Sequence, residues 1–493
     1  MVVLMSGQHL ARLPRPGCRR TFSTTGRHRQ DLRPPTAPKQ HPEIAQIRKN
    51  VQLYEDNVRV RNYTGRHGTA QKIADLTRQS IELGNSLRKP RETLKELQRR
   101  LQSEQGDRSK ILAEINVFKP RFDQVLDEQN SIDEEVRELA LSLPNLTSSR
   151  TPVDGDPKLI SYIHYDPEHP PAYSQTADHA LIGAKLSLLD FASASTTTGW
   201  GFYYLLNEAA LLEQALVQYA LSVAMRHGWR VVSPPSLVYS HIADSCGFQP
   251  RDQNDEQQIW QVAQSPKDAG KPKRSLAATA EIPLAGMCAG KEIKEEELPI
   301  KLVGSSRCYR AEAGARGVDT KGLYRVHEFT KVEMFAWTDC PGTHDGLPEE
   351  ALWTAGSTKV FDEMVNIQRE ILSSLGLPCR VLEMPSSDLG ASAYRKIDIE
   401  AMFPSRMARD GGWGEVTSAS ICTDYQSRRL DTRILEKSGS RKKFPHTANG
   451  TAIAIPRVLA AILENGWRED QNCVIIPEPL RKFMGGMEKI GPK

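Results

Sequence analysis

Acidic, basic and aromatic side chains suited to binding charged small molecules are concentrated between residues 279 and 337. In chain order, this stretch contains Thr279-Ala280-Glu281, Arg310-Ala311-Glu312, Val326-His327-Glu328-Phe329 and Lys331-Val332-Glu333-Met334. An arginine fork binds a phosphate or a carboxylate, an aromatic face stacks on a base, and acidic side chains bind a small cationic, hydroxylated ligand. These are the parts of a site that joins ATP to an amino acid.

A second group of polar residues lies nearer the C-terminus. Glu415-Val416-Thr417-Ser418 offers oxygen ligands for a divalent metal, and Asn449-Gly450-Thr451 precedes Arg457. From about Glu43 to near the C-terminus, the order and spacing of all these motifs resemble the seryl-tRNA synthetases, which are class II aminoacyl-tRNA synthetases. Several separated motifs in a family's order are far more specific than one short motif.

The resemblance implies a role for each residue of these motifs. It implies a catalytic set made of Arg310, Glu333 and Arg457. It implies that L-serine is bound by Thr279, Glu281, Arg310, Glu333, Asn449 and Thr451. It implies that ATP is bound by Arg310, Ala311, Glu312, Val326, His327, Glu328, Phe329, Glu415, Val416, Thr417, Ser418 and Arg457. Glu415 and Ser418 are then the expected ligands of the Mg²⁺ ion that bridges the phosphates.

The implied reaction forms seryl-adenylate from serine and ATP and then transfers the seryl group to the 3′ end of tRNA. Arg310 would bind the α-phosphate and the serine carboxylate together, while Phe329 and Arg457 would cover the two faces of adenine. The attacking carboxylate is already ionised at neutral pH, so we expect positioning and electrostatics without a general base. Glu333 would bind the serine hydroxyl and disfavour alanine, because an unpaired buried carboxylate is costly.

Two other functions are compatible with such a body. A noncatalytic RNA-binding or regulatory paralogue is expected to have lost its charged ligands. This chain retains them at Glu281, Arg310, Glu312, Glu333, Glu415 and Arg457. A carrier-protein aminoacyl ligase is expected to lack a helical arm, which this chain has.

Three positions depart from the pattern of the resembled family. Ala278 stands where glycine is usual, Ile421 replaces an asparagine, and Pro456 replaces a glycine before Arg457. We expect Ile421 to matter most, because it removes a polar partner near the metal and ATP.

Two runs of apolar residues at heptad spacing precede the body and predict an antiparallel coiled-coil hairpin that turns at Gly106. The first run is Ile73, Leu76, Ser80, Leu83, Leu87, Pro90, Leu94, Leu97 and Leu101. The second run is Ile111, Ile115, Phe118, Phe122, Val125, Gln129, Ile132, Val136, Leu139 and Leu143. Folding the runs together places the polar exceptions Ser80 and Gln129 in one layer, where they would fix the register. Pro90 and Pro120 predict a bend or a helix break.

Basic residues are clustered on the outgoing limb of this hairpin, whereas the returning limb is acidic. The cluster consists of Arg88, Lys89, Arg91, Lys95, Arg99 and Arg100. A solvated charged face and binding to phosphates explain such a cluster about equally well. Each limb is roughly 54 Å long at the helical rise, which is long enough to reach a large partner. In the resembled family the hairpin binds the variable arm and elbow of serine tRNA, so tRNA(Ser) is the expected partner and these six residues are expected to bind it.

Composition describes an ordinary globular chain. At 493 residues with 39% hydrophobic and 26% charged residues, the chain has room for two or three domains. It has no run of about 18 or more apolar residues, so we expect no membrane span. Its net charge of +4 says little about nucleic acid, and its eight cysteines without a C-x-x-C pair indicate reduced thiols.

The N-terminal segment has the composition of a mitochondrial transit peptide. The first 30 residues hold six arginines and no acidic residue, which favours import into the mitochondrial matrix. A disordered basic tail that binds nucleic acid nonspecifically is the alternative. A stiff linker follows at Pro34, Pro35, Pro38 and Pro42.

We therefore predict an α+β protein with an N-terminal antiparallel coiled-coil hairpin and a class II synthetase domain built on a mixed, mainly antiparallel sheet flanked by helices. The expected divisions are 1–42 (transit peptide and linker), 43–146 (tRNA-binding arm), 147–160 (linker) and 161–493 (catalytic domain). A helix at about Gly201 to His227 followed by Gly228 to Pro235 resembles the family's homodimer motif. The polar stretch from Asp252 to Arg274 is typical of a flexible insertion without chemistry.

Overall fold

The computed structural model describes residues 34, 37–103, 107–153, 155–171, 177–248, 258–268, 270–311, 322–340, 350–436 and 442–492. The predicted transit peptide and the predicted turn residue Gly106 lie outside these residues. The helices are α1 (Ile44–Lys49), α2 (Val51–Val60), α3 (Thr69–Ser86), α4 (Arg88–Gln102), α5 (Arg108–Ser142), α6 (His179–Lys185), α7 (Phe191–Thr197), α8 (Asn207–Arg226), α9 (Ser240–Ser245), α10 (Glu281–Gly286), α11 (Glu350–Trp353), α12 (Ala355–Ser374), α13 (Met407–Asp410), α14 (Tyr425–Leu430), α15 (Ile455–Gly466) and α16 (Glu478–Arg481).

The strands are β1 (Lys158–Ile163), β2 (Leu189–Asp190), β3 (Tyr204–Leu205), β4 (Arg230–Val231), β5 (Leu237–Tyr239), β6 (Arg274–Leu276), β7 (Glu292–Lys294), β8 (Ile300–Tyr309), β9 (Glu328–Thr338), β10 (Cys379–Glu383), β11 (Arg395–Met402), β12 (Trp413–Thr423), β13 (Arg433–Leu435), β14 (Lys442–Lys443), β15 (His446–Ala454), β16 (Trp467–Arg468), β17 (Cys473–Ile475) and β18 (Lys489–Ile490). Strand β1 begins inside the range expected for the linker. Helix α8 begins at Asn207 rather than at about Gly201, because Tyr204 and Leu205 pair with β2. None of the helices in the described ranges combines the length and apolarity needed to cross a membrane.

The predicted helical hairpin is present. Helices α3 and α4 form the outgoing limb and both contact α5, which forms the returning limb. The outgoing limb breaks at Leu87, which leaves Pro90 in the first turn of α4, where its missing N–H costs no helix hydrogen bond. Helix α5 continues through Pro120, so no helix break occurs there, and the alternative that was predicted, a local bend, stays a prediction.

The polar layer of the hairpin is also confirmed, with one difference in partners. The side-chain amide of Gln129 donates to the main-chain carbonyl of Ser80 at 3.2 Å. The Ser80 hydroxyl donates instead to Asp133, at 2.5 Å. The two predicted exceptions therefore lie together, and an acidic residue one turn further along α5 completes the layer.

Helices α1 and α2 attach the base of the hairpin to the rest of the molecule. Their apolar side chains share one core with those of α3 and α5. Arg61, which follows α2 and is fully buried, donates to the carbonyls of Asn145, Ala393 and Gly390. Because buried carbonyls must be hydrogen-bonded, this side chain holds the loop after the hairpin against the loop before β11.

Eight strands of the described residues form one sheet in the order β1-β10-β11-β12-β15-β9-β8-β4. Neighbouring strands are antiparallel except β4 and β8, which are parallel. The prediction of a mixed, mainly antiparallel sheet flanked by helices is confirmed.

The two faces of this sheet are chemically different. One face packs against α8, α12 and α15 in a large apolar core that includes Val332, Met334 and Ala448. Side chains alternate between faces along a strand, so the residues between these, such as Lys331 and Glu333, lie on the opposite face. That opposite face also carries Ser418 on β12 and Asn449 and Thr451 on β15, which were singled out in the sequence.

Ile421 lies on the apolar face. It is 1% exposed and belongs to the same core as Ala419 on β12. The expectation that it removes a polar partner near the metal is therefore wrong, because its side chain points into the core. Pro456 occupies the first turn of α15, where the missing N–H costs no helix bond.

Candidate active site

A β-bulge brings Glu415 onto the polar face of the sheet. In the pairing of β11 with β12, Asp398 is opposite Ser418 and Glu400 is opposite Glu415, with the register shifting between these pairs. Opposite residues share a face, so the extra residue at Val416 turns Glu415 to the side of Ser418. Without the bulge, Glu415 would point into the core with Thr417.

One end of the site is a buried cluster of two acids and one lysine. Glu333 on β9 is 3% exposed, and its carboxylate pairs with Nζ of Lys331. Thr451 lies opposite Glu333 on β15, where its hydroxyl accepts from Lys331 at 3.2 Å and donates to Glu333 at 3.2 Å. Glu281, at the start of α10, accepts from Gln426 on α14 at 2.6 Å.

The ionisation of Glu281 reflects these surroundings. Burial raises the pKa of its carboxyl to about 7, and the charge of Glu333 acts in the same direction. The charge of Lys331 and hydrogen bonds from Gln426 and Asn449 act in the opposite direction. The neighbours of Glu281 and Glu333 therefore include other predicted serine ligands, so that four of them lie in one cluster: Glu281, Glu333, Asn449 and Thr451. The cluster contains two carboxyl groups and one lysine, so its net charge is negative when both carboxyl groups are ionised. This charge favours the binding of a cation.

Thr279 takes a supporting position beside this cluster. It is 2% exposed, and its hydroxyl accepts from the main-chain N–H of Glu281 at 3.3 Å. This bond fixes the first turn of α10 and therefore the direction of the Glu281 side chain.

The other end of the site carries arginines and aromatic rings. The guanidinium of Arg310, at the end of β8, lies 5.3 Å from the ring centre of Phe329 on β9. Arg457 on α15 donates to the carbonyl and to Oε2 of Glu415, at 3.0 and 3.1 Å. It also donates to the carbonyl of Tyr324 at 3.1 Å and lies 4.7 Å from the centre of that ring. Phe329 and Arg457 thus each already have a stacking partner, Arg310 and Tyr324.

Glu415 is surrounded by cations. Burial acts to raise the pKa of its carboxyl, but the charges of Arg457, Lys396 and Arg310 outweigh burial and hold the pKa at about 2. The carboxylate is therefore ionised at every physiological pH.

The residues present are compatible with Mg²⁺ bound together with a nucleotide. Mg²⁺ is usually held by one or two carboxylates plus substrate phosphates and water. Glu415 and Ser418 supply a carboxylate and a hydroxyl on one face. Across the described residues, no group of three or more His, Cys, Asp or Glu side chains is placed to hold a metal without further ligands.

The remaining predicted ATP ligands have varied positions. Val326 packs against Phe329, and Val416 is fully buried in the core, so the side chain of Val416 is unable to contact a ligand. The Thr417 hydroxyl donates to the carbonyl of Thr451 on the apolar face. Glu328 lies 3.8 Å from Arg307. Glu312 lies outside the described residues.

His327 and Ala311 contact a segment that was expected to do no chemistry. The His327 ring meets Trp260 of this segment edge-on, with the ring centres 5.7 Å apart. It also stacks on Phe202, which lies outside the segment, at 5.4 Å. The N–H of Ala311 donates to the carbonyl of Gln258 at 3.1 Å. Part of the predicted insertion thus packs against the motif that carries Arg310, and the expectation that the insertion does no chemistry stays a prediction.

Lys331, Gln426 and Tyr324 were missed as site residues by sequence reasoning. Phe329, Lys331 and Glu333 follow one another at intervals of two residues along one strand, so they lie on the same face of the sheet. This period-2 pattern was the signal that could have identified Lys331 as a site residue. Gln426 and Tyr324 lie far along the chain from the residues they support, and no local pattern marks them.

Comparisons with known proteins agree with this geometry. Residues 266–466 match the model of the tRNA synthetase class II core domain (G, H, P, S and T). The chain is 43% identical to the mitochondrial serine–tRNA ligase of Saccharomyces cerevisiae over 78% of its own length and 81% of that protein. It is 37% identical to the mitochondrial serine–tRNA ligase of Schizosaccharomyces pombe over 89% and 87% of the two chains.

A solved structure extends the comparison to the whole fold. The crystal structure of seryl-tRNA synthetase from Pyrococcus horikoshii complexed with ATP has a TM-score of 0.78 to this chain at 28% identity. The alignment covers 92% of this chain and 99% of that one. The chain therefore belongs to the serine–tRNA ligase family of class II aminoacyl-tRNA synthetases.

Proposed function

We propose that this chain activates L-serine with ATP to seryl-adenylate and transfers the seryl group to the 3′ end of tRNA(Ser) in mitochondrial translation. The observation that carries the proposal is the buried cluster of Glu281, Lys331 and Glu333 on the same sheet face as Arg310 and Phe329. Phe329 and Glu333 are four residues apart on one strand, roughly 13 Å at the strand rise. An extended aminoacyl-adenylate spans such a distance.

The serine end of the site binds its ligand by charge and by a hydroxyl partner. Glu281 takes the ammonium group, with Thr279 fixing its orientation. Glu333 accepts the serine hydroxyl, with Thr451 and Asn449 closing the pocket. Alanine is disfavoured, because it leaves the buried Glu333 without that bond.

The nucleotide end stabilises charge on the phosphates. Arg310 binds the α-phosphate and the serine carboxylate, and this double interaction positions the carboxylate oxygen to attack phosphorus. The new bond joins this oxygen to the α-phosphorus, and pyrophosphate leaves with the electrons of the broken bond. Arg457 and Phe329 bind adenine, and Glu415 fixes Arg457. Mg²⁺, held by Glu415 and Ser418 together with the phosphates, would neutralise charge on the leaving group.

The helical hairpin supplies the surface for tRNA(Ser). All six residues predicted to bind it, Arg88, Lys89, Arg91, Lys95, Arg99 and Arg100, are exposed on α4. Four of them, Arg88, Arg91, Lys95 and Arg99, follow steps of three and four residues and form one stripe along the helix. The domain division proposed from the sequence assigns this hairpin to residues 43–146.

A homodimer is supported by apolar side chains exposed around the parallel edge of the sheet. Leu211 and Met225 on α8 are 49% and 58% exposed, and Val231 on β4 is 49% exposed. Large exposed apolar groups on neighbouring elements are typical of protein interfaces. We propose that a second copy of the chain covers them.

Mitochondrial location is supported by the names of the two yeast relatives and by the arginine-rich, acid-free N-terminus. The matrix is the compartment proposed. Fusion of residues 1–42 to a fluorescent protein tests it, because cytosolic fluorescence from that fusion would contradict import.

Serine-dependent exchange of pyrophosphate into ATP by the purified protein tests the catalytic proposal. Exchange that requires L-serine and is not supported by alanine or threonine is the expected result. Absence of exchange, with tRNA(Ser) still bound, would instead identify a noncatalytic RNA-binding paralogue.

A further inference from the structure

His179, the first residue of α6, has hydrogen-bonding partners on both ring nitrogens. Its Nε2 lies 3.0 Å from the main-chain nitrogen of Leu323, and its Nδ1 lies 2.8 Å from Oε1 of Glu464 on α15. An amide N–H only donates, so Nε2 is an acceptor. The ring proton therefore resides on Nδ1 and is donated to Glu464.

Glu464 is held so that it fixes this ring. Its side chain is 1% exposed, and Oε1 also accepts from the main-chain N–H of His179 at 3.2 Å. Ser405 donates to it twice, from its hydroxyl at 2.9 Å and from its N–H at 3.1 Å. A carboxylate with four donors has little freedom to rotate, and the imidazole bonded to it keeps one orientation and one tautomer.

Gly322 shows independently how closely the His179 ring packs against the turn formed by residues 322–324. A Cβ atom at position 322 would overlap with Nε2 of His179, and the glycine has φ of +77°. A side chain at position 322 would therefore both collide with the ring and be strained. The turn formed by residues 322–324 is built around His179.

This turn also contacts the nucleotide end of the site. The carbonyl of Tyr324 accepts from Nε of Arg457 at 3.1 Å, and the Tyr324 ring lies 4.7 Å from the guanidinium. Arg457 and Glu464 are seven residues apart on α15, which is about two turns and puts them on one helix face. The turn is thus joined to α15 at two points, directly through Arg457 and indirectly through His179.

We propose that His179 is a positioning residue for adenylate formation, which holds the 322–324 turn against α15 so that Tyr324 orients Arg457 for ATP. This inference rests on the ATP-binding role proposed above for Arg457. His179 itself touches no reacting atom. Its contribution is to keep one arginine in place before the nucleotide arrives.

Separate KM values for ATP and serine in the pyrophosphate exchange reaction test this role. His179→Ala should raise KM for ATP roughly tenfold or more, because small displacements of a binding group cost that much. KM for serine should stay within about twofold, since its cluster is at the other end of the site. His179→Gln keeps an acceptor at the place of Nε2 and should recover part of the ATP affinity. The matched control His169→Ala removes an exposed histidine that pairs with the nearby Asp166 and should change neither value.

A double substitution tests the packing of the ring on the turn. Gly322→Ala should raise KM for ATP in the wild-type background, and by a smaller factor in the His179→Ala background, where the ring is gone. If the two factors simply multiply, the residues are uncoupled and the inference is wrong. Equal increases in both KM values, or a fall in kcat alone, would also overturn it. Should the alanine variant fail to fold, His179→Gln and Gly322→Ala provide the same comparison of KM values.

Arg457→Ala separates failure of this inference from failure of the proposed function. If Arg457→Ala leaves KM for ATP unchanged, the nucleotide role of Arg457 is wrong. If it raises KM for ATP while the His179 and Gly322 substitutions do not, only the positioning role of His179 is wrong.

Discussion

The hydroxyl of Thr451 donates to Oε2 of Glu333 at 3.2 Å across two paired strands. The two residues are directly opposite in the register of β15 and β9, and Lys331 donates to the same hydroxyl. A threonine hydroxyl is chemically the same donor as the side chain of serine. The structure therefore contains, within the chain, the kind of hydrogen bond to Glu333 that we propose for the substrate.

The first prediction concerns Glu333. Glu333→Ala should reduce serine-dependent exchange by roughly 100-fold, about 3 kcal/mol, because a hydrogen bond to a buried charge is removed and Lys331 no longer has its ion-pair partner. Binding of tRNA(Ser), measured by filter retention, should be unchanged. Glu296→Ala, which removes an exposed carboxylate, is the control. Normal exchange by the Glu333 variant would disprove the assignment.

The second prediction is a pH dependence of serine binding. The pKa of Glu281 is raised to about 7, so a growing fraction of this carboxyl is neutral as pH falls below that value. An ammonium ligand requires the ionised form, so KM for serine should increase up to about tenfold per pH unit below about 7. Glu281→Gln should weaken serine binding and flatten this dependence. A wild-type KM that is constant between about pH 5.5 and 8 would contradict the role of Glu281.

The carboxyl of Glu281 also makes the stability of the folded protein depend on pH. Its folded pKa of about 7 exceeds the ordinary value of 4.5, so the folded protein retains a proton that the unfolded chain releases. The stability contributed by this proton is fully present below pH 4.5 and is lost as pH rises to about 7. The free energy of unfolding of Glu281→Gln should lack this component, which denaturation at several pH values measures.

The third prediction concerns Glu415 and Mg²⁺. Glu415→Gln should raise the Mg²⁺ concentration that gives half-maximal exchange by roughly tenfold, because a carboxylate ligand becomes a neutral amide. It should also raise KM for ATP, since Arg457 loses its ion pair. Glu400→Gln is a matched control, because Glu400 is opposite Glu415 but is bonded by Arg380 at 2.5 Å. Equal Mg²⁺ requirements in wild type and Glu415→Gln would exclude the proposed metal ligand.

The fourth prediction concerns the basic stripe on α4. Reversing the charge of Arg91, Lys95 and Arg99 together should weaken tRNA(Ser) binding. A plot of the logarithm of the binding constant against the logarithm of the salt concentration should also become less steep, by about one unit of slope for each phosphate that the protein no longer neutralises. Adenylate formation should be unaffected. Arg78→Glu, on the same limb but nearer the body, is the control. Equal reductions in tRNA charging and in adenylate formation would contradict the role of the hairpin.

The fifth prediction concerns the proposed dimer face. Val231→Asp places a charge on an exposed apolar position of the edge strand, so it should shift the sedimentation coefficient from that of a dimer toward that of a monomer. Leu159→Asp, at an exposed position on the opposite edge of the sheet, is the control. A monomeric wild-type protein would contradict the proposal directly.

Local sequence was sufficient to predict the hairpin, and the resemblance of the ordered motifs to a known family predicted the class of the sheet and the residues of the site. Heptad spacing predicted helices that pair around Ser80 and Gln129, and the order of the motifs predicted Arg310, Phe329 and Glu333 as site residues. The heptad spacing and each short motif depend on neighbours a few residues away, so they are readable along the chain.

Only the tertiary structure decided which side chains meet and which direction each one faces. The bulge at Val416 turned Glu415 toward the site, and the register of β12 buried Ile421 in the core, although both residues belong to one motif. The partners Gln426, Tyr324 and His179 come from segments far apart in the chain. A one-residue change of register moves a strand residue to the other face of a sheet, and the meeting of distant segments depends on how helices pack on that sheet. For these physical reasons, the chain specified the chemistry available, and the packing determined where that chemistry is assembled.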